Sequence, residues 1–311
     1  MVDSKQSWKA WLYLSPALVL LLVFTAWPIV NTLRMAFLEG YGNLSAAGGK
    51  EFAFGLGNFI KVISYKKFLE CLWNTILLCL VTVPISTALA LLIAVCLNAI
   101  KPLQRFLQTI FFLPYVTNSI AIGMVFAAMF NMIQGGKPGE YESVGIINNI
   151  LGLFGVDFIN WINTGSEYWA NITVTVIYIV WNALPFKILV LLGGLQGINK
   201  QYYDAAKIDG TSRVRTFFRI TVPLLSPMLA YVFITGFIGG FKEYSSIVGI
   251  FGDKMGPPGN AGSLNTMVGF IYDALETDAQ GRASAAALIL FGIIFLVTMV
   301  NLYVSKRNTH Y

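Results

Sequence analysis

The sequence predicts an all-α polytopic membrane protein with six transmembrane helices. Apolar residues make up 56% of its 311 residues, charged residues only 12%, and the mean hydropathy is +0.68. An average soluble protein is about 25% charged, so this composition lacks the charges that a fully water-exposed surface requires. Long charge-free runs are the third observation, because about 20 apolar residues are needed to cross the hydrocarbon core of a bilayer.

Six apolar segments follow one another along one transmembrane domain, residues 1–311. The first is charge-free from Ala10 to Leu33, and its apolar core is too long for a cleaved signal peptide. The stretch from Val144 to Val156 is too short to cross and is predicted to form a short helix at the membrane interface. The predicted spans are approximately residues 11–35, 71–98, 106–133, 168–196, 221–243 and 283–305.

The loop charges predict the orientation of these spans. The side that holds both termini has eleven basic and three acidic residues, whereas the other side has nine basic and twelve acidic residues in longer loops. The positive-inside rule therefore predicts cytoplasmic termini. Lys61, Lys66 and Lys67 oppose this assignment, but apolar residues interleave with them as in an amphipathic helix at the membrane surface.

The residues that many enzymes need are missing from this sequence. His310 is the only histidine, which excludes Ser-His and Cys-His dyads and HExxH zinc sites. The three cysteines lie in one apolar stretch without metal-ligand spacing, and no GxxxxGK[ST] loop occurs. We predict no enzyme activity, metal, bound cofactor or nucleic-acid partner for this chain. Any ATP site that it uses lies on another subunit.

The most basic cytoplasmic loop, residues 200–220, carries the most specific pattern. Helix-compatible residues flank Gly210 on both sides, and Pro223 suits the first turn of the fifth span. We therefore expect two short helices that lie parallel to the membrane and are joined at Gly210. Such an element would present a cytoplasmic projection to a soluble partner.

This loop resembles the EAA loop of ABC importer permeases, in which EAA, Gly and Ile-x-Leu-Pro recur at fixed spacings. Two departures, Asp in place of Glu and Val222 in place of Leu, preserve charge and apolarity. The matching residues, which the resemblance assigns to coupling with an ATPase, are Asp204, Ala205, Ala206, Gly210, Ile220 and Pro223. Asp204 would pair with a basic residue of the ATPase, although a solvated charge at a helix N-terminus is the simpler alternative.

Further motifs are similar to sugar-type permeases of maltose and glycerol-3-phosphate uptake systems. The Gly-Pro segment before the last span is typical of the first of the two permeases in such systems. The motifs are GLGNFIKV (55–62), LWNTILL (72–78), FFLPY (111–115), WNALPFKILVLLGGLQGI (181–198), GPPG (256–259) and GRASAAA (281–287).

The resemblance implies an ABC importer type I permease fold in a bacterial plasma (inner) membrane. It also implies a complex with a second, non-identical permease, two ATPase subunits that bind ATP and Mg, and an extracytoplasmic substrate-binding protein. The substrate would be a sugar or oligosaccharide, carried by alternating access. A different solute within the same superfamily is the nearest alternative, and a self-sufficient secondary carrier or channel is the more distant one.

Charged residues inside spans are costly and often functional, and the family's cavity is lined by the fourth and fifth spans. The resulting candidates for the substrate pathway are Trp181, Phe186, Lys187, Gly240, Glu243 and Tyr244. Lys187 and Lys242 further suggest an anionic substrate such as a uronate or a phosphate. Alternatively, Lys187 snorkels or pairs with another subunit, and Trp181 is packed or faces lipid.

Overall fold

A computed structural model describes residues 7–100, 104–134 and 141–308. His310 and some of the loop charges counted above, among them Lys5 and Lys101, lie outside these residues. The chain divides into two compact units, Met1–Leu69 with Phe270–Phe291 and Glu70–Gly269 with Gly292–Tyr311, which are described separately.

Five helical segments of the described residues are long and apolar enough to cross a bilayer. A sixth, bent pair of helices also qualifies if its two halves form one span. The five segments are Trp8–Phe37, Lys66–Ala99, Tyr168–Gly197, Arg213–Gly240 and Gln280–Lys306. They match five of the six predicted spans, and the second begins five residues before its predicted start at residue 71.

The first unit begins with α1 (Ser7–Leu21) and α2 (Trp27–Phe37), joined by a π-helical turn, Leu22–Ala26. Pro28 explains the turn, because proline lacks an N–H and its ring crowds the carbonyl four residues earlier. No residue in the most apolar stretch of this span is buried within the chain. The span therefore presents its side chains to lipid or to another subunit.

The rest of the first unit is organised around two polar side chains. Asn58 is buried, donates to the carbonyls of Ala36 and Leu38, and accepts from the Gly40 amide. The Asp278 carboxylate accepts from the amides of Leu44 and Ser45. The helices around them are α3 (Asn43–Ala47), α4 (Gly57–Ile63), the start of α5 (Lys66–Ala99), most of α14 (Met267–Glu276) and the first part of α15 (Gln280–Asn308).

The third predicted span is not one continuous helix. It consists of α6 (Gln104–Val116) and α7 (Ser119–Phe130), and the two are bent by 98°. The polar pair Thr117-Asn118 causes the break, since the Asn118 side chain accepts hydrogen bonds from the first amides of α7 and caps a new helix. An antiparallel ribbon of β1 (Ile133–Gln134) and β2 (Tyr141–Ser143) follows.

The second unit packs the remaining helices around α9 (Tyr168–Gly197), half of whose most apolar stretch is buried. Its other members include α8 (Gly145–Leu153), which confirms the short helix predicted within residues 144–156, α12 (Val222–Gly240) and α13 (Ser245–Phe251). One apolar cluster joins α5, α9 and α12 through Ala90, Ala94, Leu97, Ile188, Leu191, Leu192, Leu195, Leu225 and Val232.

The helices α7 and α13 touch backbone to backbone. A Cβ added to Gly123 of α7 would lie 2.7 Å from the Cα atom of Gly249 in α13. Only glycine at both positions allows this approach, so α7, which follows the break in the third span, and α13, which follows the end of α12, are packed directly against one another.

Candidate functional site

A cavity of about 300 Å³ opens between α5, α6, α9 and α12. It lies within the second unit, and both charged and hydroxyl-bearing side chains reach it. The lining residues are Thr82, Val83, Ser86, Tyr115, Ile179, Asn182, Ala183, Phe186, Lys187, Thr235, Gly236, Gly239, Gly240 and Glu243. Four of the six residues predicted for the substrate pathway, Phe186, Lys187, Gly240 and Glu243, are therefore brought together.

An aromatic platform forms one wall of the cavity. The rings of Tyr115 and Phe186 are stacked, with centroids 5.9 Å apart and planes 19° apart. Tyr231 extends this row, 6.4 Å from Phe186. Stacked aromatic rings offer a flat, apolar face with the polar Tyr115 hydroxyl at its edge, a surface suited to the C–H face of a sugar ring.

Lys187 is buried, and its ammonium group is directed toward α5. Nζ donates to Ser86 Oγ at 2.6 Å, to Thr87 Oγ1 at 2.9 Å and to the Val83 carbonyl at 3.2 Å. An ammonium group has three N–H donors, so these contacts satisfy all of them. Lys187 thus connects α9 to α5 at the cavity wall, while the exposed Lys242 is not among the residues that line the cavity.

Gly240 is the last residue of α12, and Glu243 lies in the short connection between α12 and α13. The Glu243 carboxylate accepts from the amides of Tyr244 and Ser246 at the start of α13, which holds it in place. A Cβ on Gly240 would lie 2.7 Å from Cys79 Sγ, so glycine here permits close packing against α5.

Trp181 and Tyr244 are not among the residues that line the cavity. Trp181 packs against Phe126 and Tyr178 on the opposite side of α9, in agreement with the alternative of a packed tryptophan. Tyr244 packs against an apolar cluster that includes Ile247. Asn182 and Phe186 are four residues apart and share the cavity side of α9, whereas Trp181, the neighbour of Asn182, does not.

Asn182, Thr82 and Thr235 line the cavity and were missed from the sequence. Asn182 precedes Phe186 by four residues and is polar within an apolar span, which is a signal that could have identified it. Thr82 and Thr235 offer no such signal, because a threonine hydroxyl can donate a hydrogen bond to a carbonyl of its own helix. Thr235 Oγ1, for example, donates to the Tyr231 carbonyl.

The predicted coupling loop begins with the helix α10 (Lys200–Ile208), which Asn199 caps by accepting from the Gln201 amide. At its end the Gly210 amide donates to the Lys207 carbonyl and the Thr211 amide to the Ala206 carbonyl. This is a Schellman motif, in which Gly210 adopts the required left-handed conformation with φ of +63°. The prediction of a helix end at Gly210 is confirmed.

The second half of the loop differs from the expectation of a separate short helix. The helix α11 (Arg213–Thr216) continues through a π-helical turn, Phe217–Thr221, into α12 without interruption. Pro223 does not start a new helix, because the π turn accommodates the missing proline N–H. This second half of the loop is therefore a direct extension of the fifth span.

One face of this coupling loop is exposed to solvent. Asp204 forms an ion pair with Lys207 at 3.1 Å, with both side chains largely in solvent. Ala205 is exposed, whereas Ala206 is buried. Ile208 is 87% exposed, unusual for a large apolar side chain, and Val214 is 68% exposed. Ile208 lies in α10 and Val214 in α11, so each half of the loop exposes a large apolar side chain.

Residues 86–310 match the family described as binding-protein-dependent transport system inner membrane component. The match covers most of the chain, including the cavity residues from Ser86 onward and the whole loop. The chain belongs to this family. It is an inner membrane permease, and the ABC importer permease fold predicted from the sequence is confirmed.

Two relatives show how much of the chain the sequence similarity covers. The permease is 29% identical to the arabinooligosaccharides transport system permease protein AraP of Halalkalibacterium halodurans, over 94% of this chain and 86% of AraP. It is 30% identical to the trehalose/maltose transport system permease protein MalF of Thermococcus litoralis, over 95% of this chain and 93% of MalF.

The fold of the permease also matches a crystal structure of a bacterial ABC transporter involved in the import of the acidic polysaccharide alginate. The TM-score is 0.78, at 20% sequence identity, over 99% of this chain and 98% of the other. At this identity the match shows the fold alone, and it covers nearly the whole length of both chains.

Proposed function

We propose that this permease is the first of two non-identical permeases in an ATP-driven importer of a sugar or oligosaccharide. The observation that carries the proposal is the cavity, in which the Tyr115–Phe186 platform faces a space that Asn182 and Glu243 also line. A sugar presents an apolar face and a rim of hydroxyl groups, so it needs this combination of surfaces. Relatives named for arabinooligosaccharides and for trehalose/maltose support the same substrate class.

The second part of the proposal concerns energy supply. Two ATPase subunits, which bind ATP and Mg, would each hold a coupling loop of one permease in a groove. Asp204 and Ala205 would enter this groove, and the exposed Ile208 would be covered by it, whereas the buried Ala206 packs α10 against its own chain. Because α11 is continuous with α12, movement of the docked loop would tilt the fifth span and change access to the cavity.

The proposed orientation places both termini and the coupling loop in the cytoplasm, following the positive-inside rule. The opposite face would receive the substrate from the extracytoplasmic binding protein. Sugar would then enter the cavity from that side and leave it toward the coupling loop.

The test is to purify the permease with its co-purifying subunits and measure ATP hydrolysis in proteoliposomes. Maltose, trehalose and arabinooligosaccharides, each presented with the binding protein, form the first panel, and an alginate oligosaccharide represents acidic sugars. We expect at least one sugar to stimulate hydrolysis severalfold. Uptake driven by an ion gradient without ATP, or co-purification of no ATPase, would contradict the proposal.

A further inference from the structure

The segment between α13 and α14, residues 252–266, is partly buried although it contains no helix or strand. Met255 and Leu264 are buried in an apolar cluster with Leu78 of α5 and Ile247 of α13. The Leu264 amide donates to the Met255 carbonyl, which folds the segment back on itself. This segment, which we call the outer loop, is thus a packed element with defined contacts.

Two neighbouring residues of α5 hold the end of the outer loop. The buried Asn74 side chain donates from Nδ2 to the carbonyls of Ser263 and Asn265, both at 2.9 Å. Its Oδ1 accepts from the Tyr168 hydroxyl at 2.6 Å. The Thr75 hydroxyl accepts from the Met267 amide at 3.0 Å.

Thr266 lies between these attachment points and is completely buried. Its Oγ1 donates to the backbone carbonyl of Glu243 at 2.8 Å. That carbonyl belongs to the same planar peptide group as the Tyr244 N–H. The Tyr244 N–H in turn donates to the Glu243 carboxylate at 3.2 Å, so the Thr266 hydroxyl orients the peptide group that holds the carboxylate.

We infer that Thr266, fixed by Asn74 and Thr75, is a positioning residue that sets the direction of the Glu243 carboxylate in the cavity. The inference rests on the proposed function, in which Glu243 accepts hydrogen bonds from substrate hydroxyls. It assigns to the outer loop the task of keeping this acceptor in place from outside the cavity.

The test compares Thr266→Val, Thr266→Ser, Glu243→Ala and the double variant Thr266→Val with Glu243→Ala. The full importer is used in proteoliposomes, with whichever sugar of the panel stimulates ATP hydrolysis most. Thr266→Val removes the hydrogen bond to the Glu243 carbonyl and a longer one, at 3.4 Å, that the Thr266 hydroxyl accepts from the Gly269 amide. Loss of a well-placed hydrogen bond corresponds to about a three- to tenfold effect. We expect Thr266→Val to raise the KM for uptake by that factor, and the serine variant, which keeps the hydroxyl, to restore it.

The double variant decides between positioning and a merely structural role. If Thr266 acts through the carboxylate, Thr266→Val adds nothing to the KM of Glu243→Ala, which has no side-chain acceptor left to position. An equal increase in both backgrounds overturns the inference, as does an unchanged KM in Glu243→Ala alone. Thr173→Val is the matched control, because this exposed threonine bonds only to the Trp169 carbonyl of its own helix.

A second variant keeps the test decisive if Thr266→Val does not assemble. Thr75→Val removes the acceptor of the Met267 amide, together with the hydrogen bond that the Thr75 hydroxyl donates to the Cys71 carbonyl of its own helix. Its smaller increase in KM should likewise vanish in the Glu243→Ala background. Persistence of that increase would overturn the inference. Failure of the proposed function has a different signature, since no sugar would then stimulate ATP hydrolysis in the unaltered complex.

Discussion

The cavity and the coupling loop are built in opposite ways. Around the cavity, the polar groups of Lys187, Asn74 and Thr266 are buried, and each is hydrogen-bonded within the chain. On the loop, Asp204 and Ile208 are exposed, and the Asp204–Lys207 pair is of the surface type that contributes little stability. The contrast fits the proposal, in which the polar groups around the cavity are held by the chain itself and the loop is covered by a partner. Substitutions in the two regions should therefore impair the permease in different ways.

The largest effect is expected for Gly210→Pro. Proline fixes φ near −65° and cannot donate, whereas Gly210 has φ of +63° and donates to Lys207. We expect ATP-dependent uptake to be lost while the protein still inserts into the membrane. Gly155→Pro is the control, because Gly155 also has a positive φ and donates its amide, but lies outside the loop. Uptake retained by Gly210→Pro would contradict the assignment of the loop.

Asp204→Lys should also abolish uptake, through charge rather than backbone shape. In the proposed complex the Asp204 carboxylate faces a basic residue of the ATPase. The substitution puts an ammonium group there, which repels that residue. Asp209→Lys makes the same change of charge five residues further along the loop and should have a weaker effect. Co-purification of the ATPase with each variant measures the difference. Equal losses for the two variants would reduce the role of Asp204 to general charge.

Gly240→Ala and Gly239→Ala form a matched pair that tests the packing around the cavity. The methyl group at residue 240 would meet Cys79 Sγ, whereas at residue 239 nothing lies within 4 Å. Overpacking typically costs about 1–3 kcal/mol, so we expect a lower melting temperature for Gly240→Ala. Gly239→Ala should retain stability and change the KM for sugar, because its methyl group enters the cavity. The opposite order of stabilities would disprove this packing argument.

Lys187→Met should have the smallest effect on transport of neutral sugars. All three donors of Lys187 bond to α5, so we expect lower thermal stability rather than a changed choice of sugar. Lys187→Arg keeps the charge and serves as control. A loss of uptake confined to an alginate oligosaccharide would instead support the hypothesis of an anionic substrate.

Long apolar runs predicted the spans well, because span length and hydropathy are properties of a continuous segment. The break between α6 and α7 depends on the Asn118 side chain capping a new helix, and a hydropathy count is blind to capping. The continuity of α11 with α12 was likewise missed, because Pro223 is compatible both with a helix start and with a π turn.

The site was predictable to the extent that charge marked it. Lys187 and Glu243 stand out in apolar spans, and both reach the cavity. Trp181 was misplaced because the choice between neighbouring faces of α9 depends on where α7 packs, through Phe126. The link from Thr266 to Glu243 joins residues that are 23 positions apart, and local patterns carry no information about such pairs.

The π turn at residues 217–221 also has a consequence for alignment. A π turn holds one residue more than an α turn for about the same rotation of the helix. Deleting one residue there would produce a regular α-helix and leave the loop in nearly the same orientation relative to the fifth span. Alignments between this permease and its relatives should therefore place single-residue gaps in this turn, where an insertion leaves both flanking helices intact and in phase.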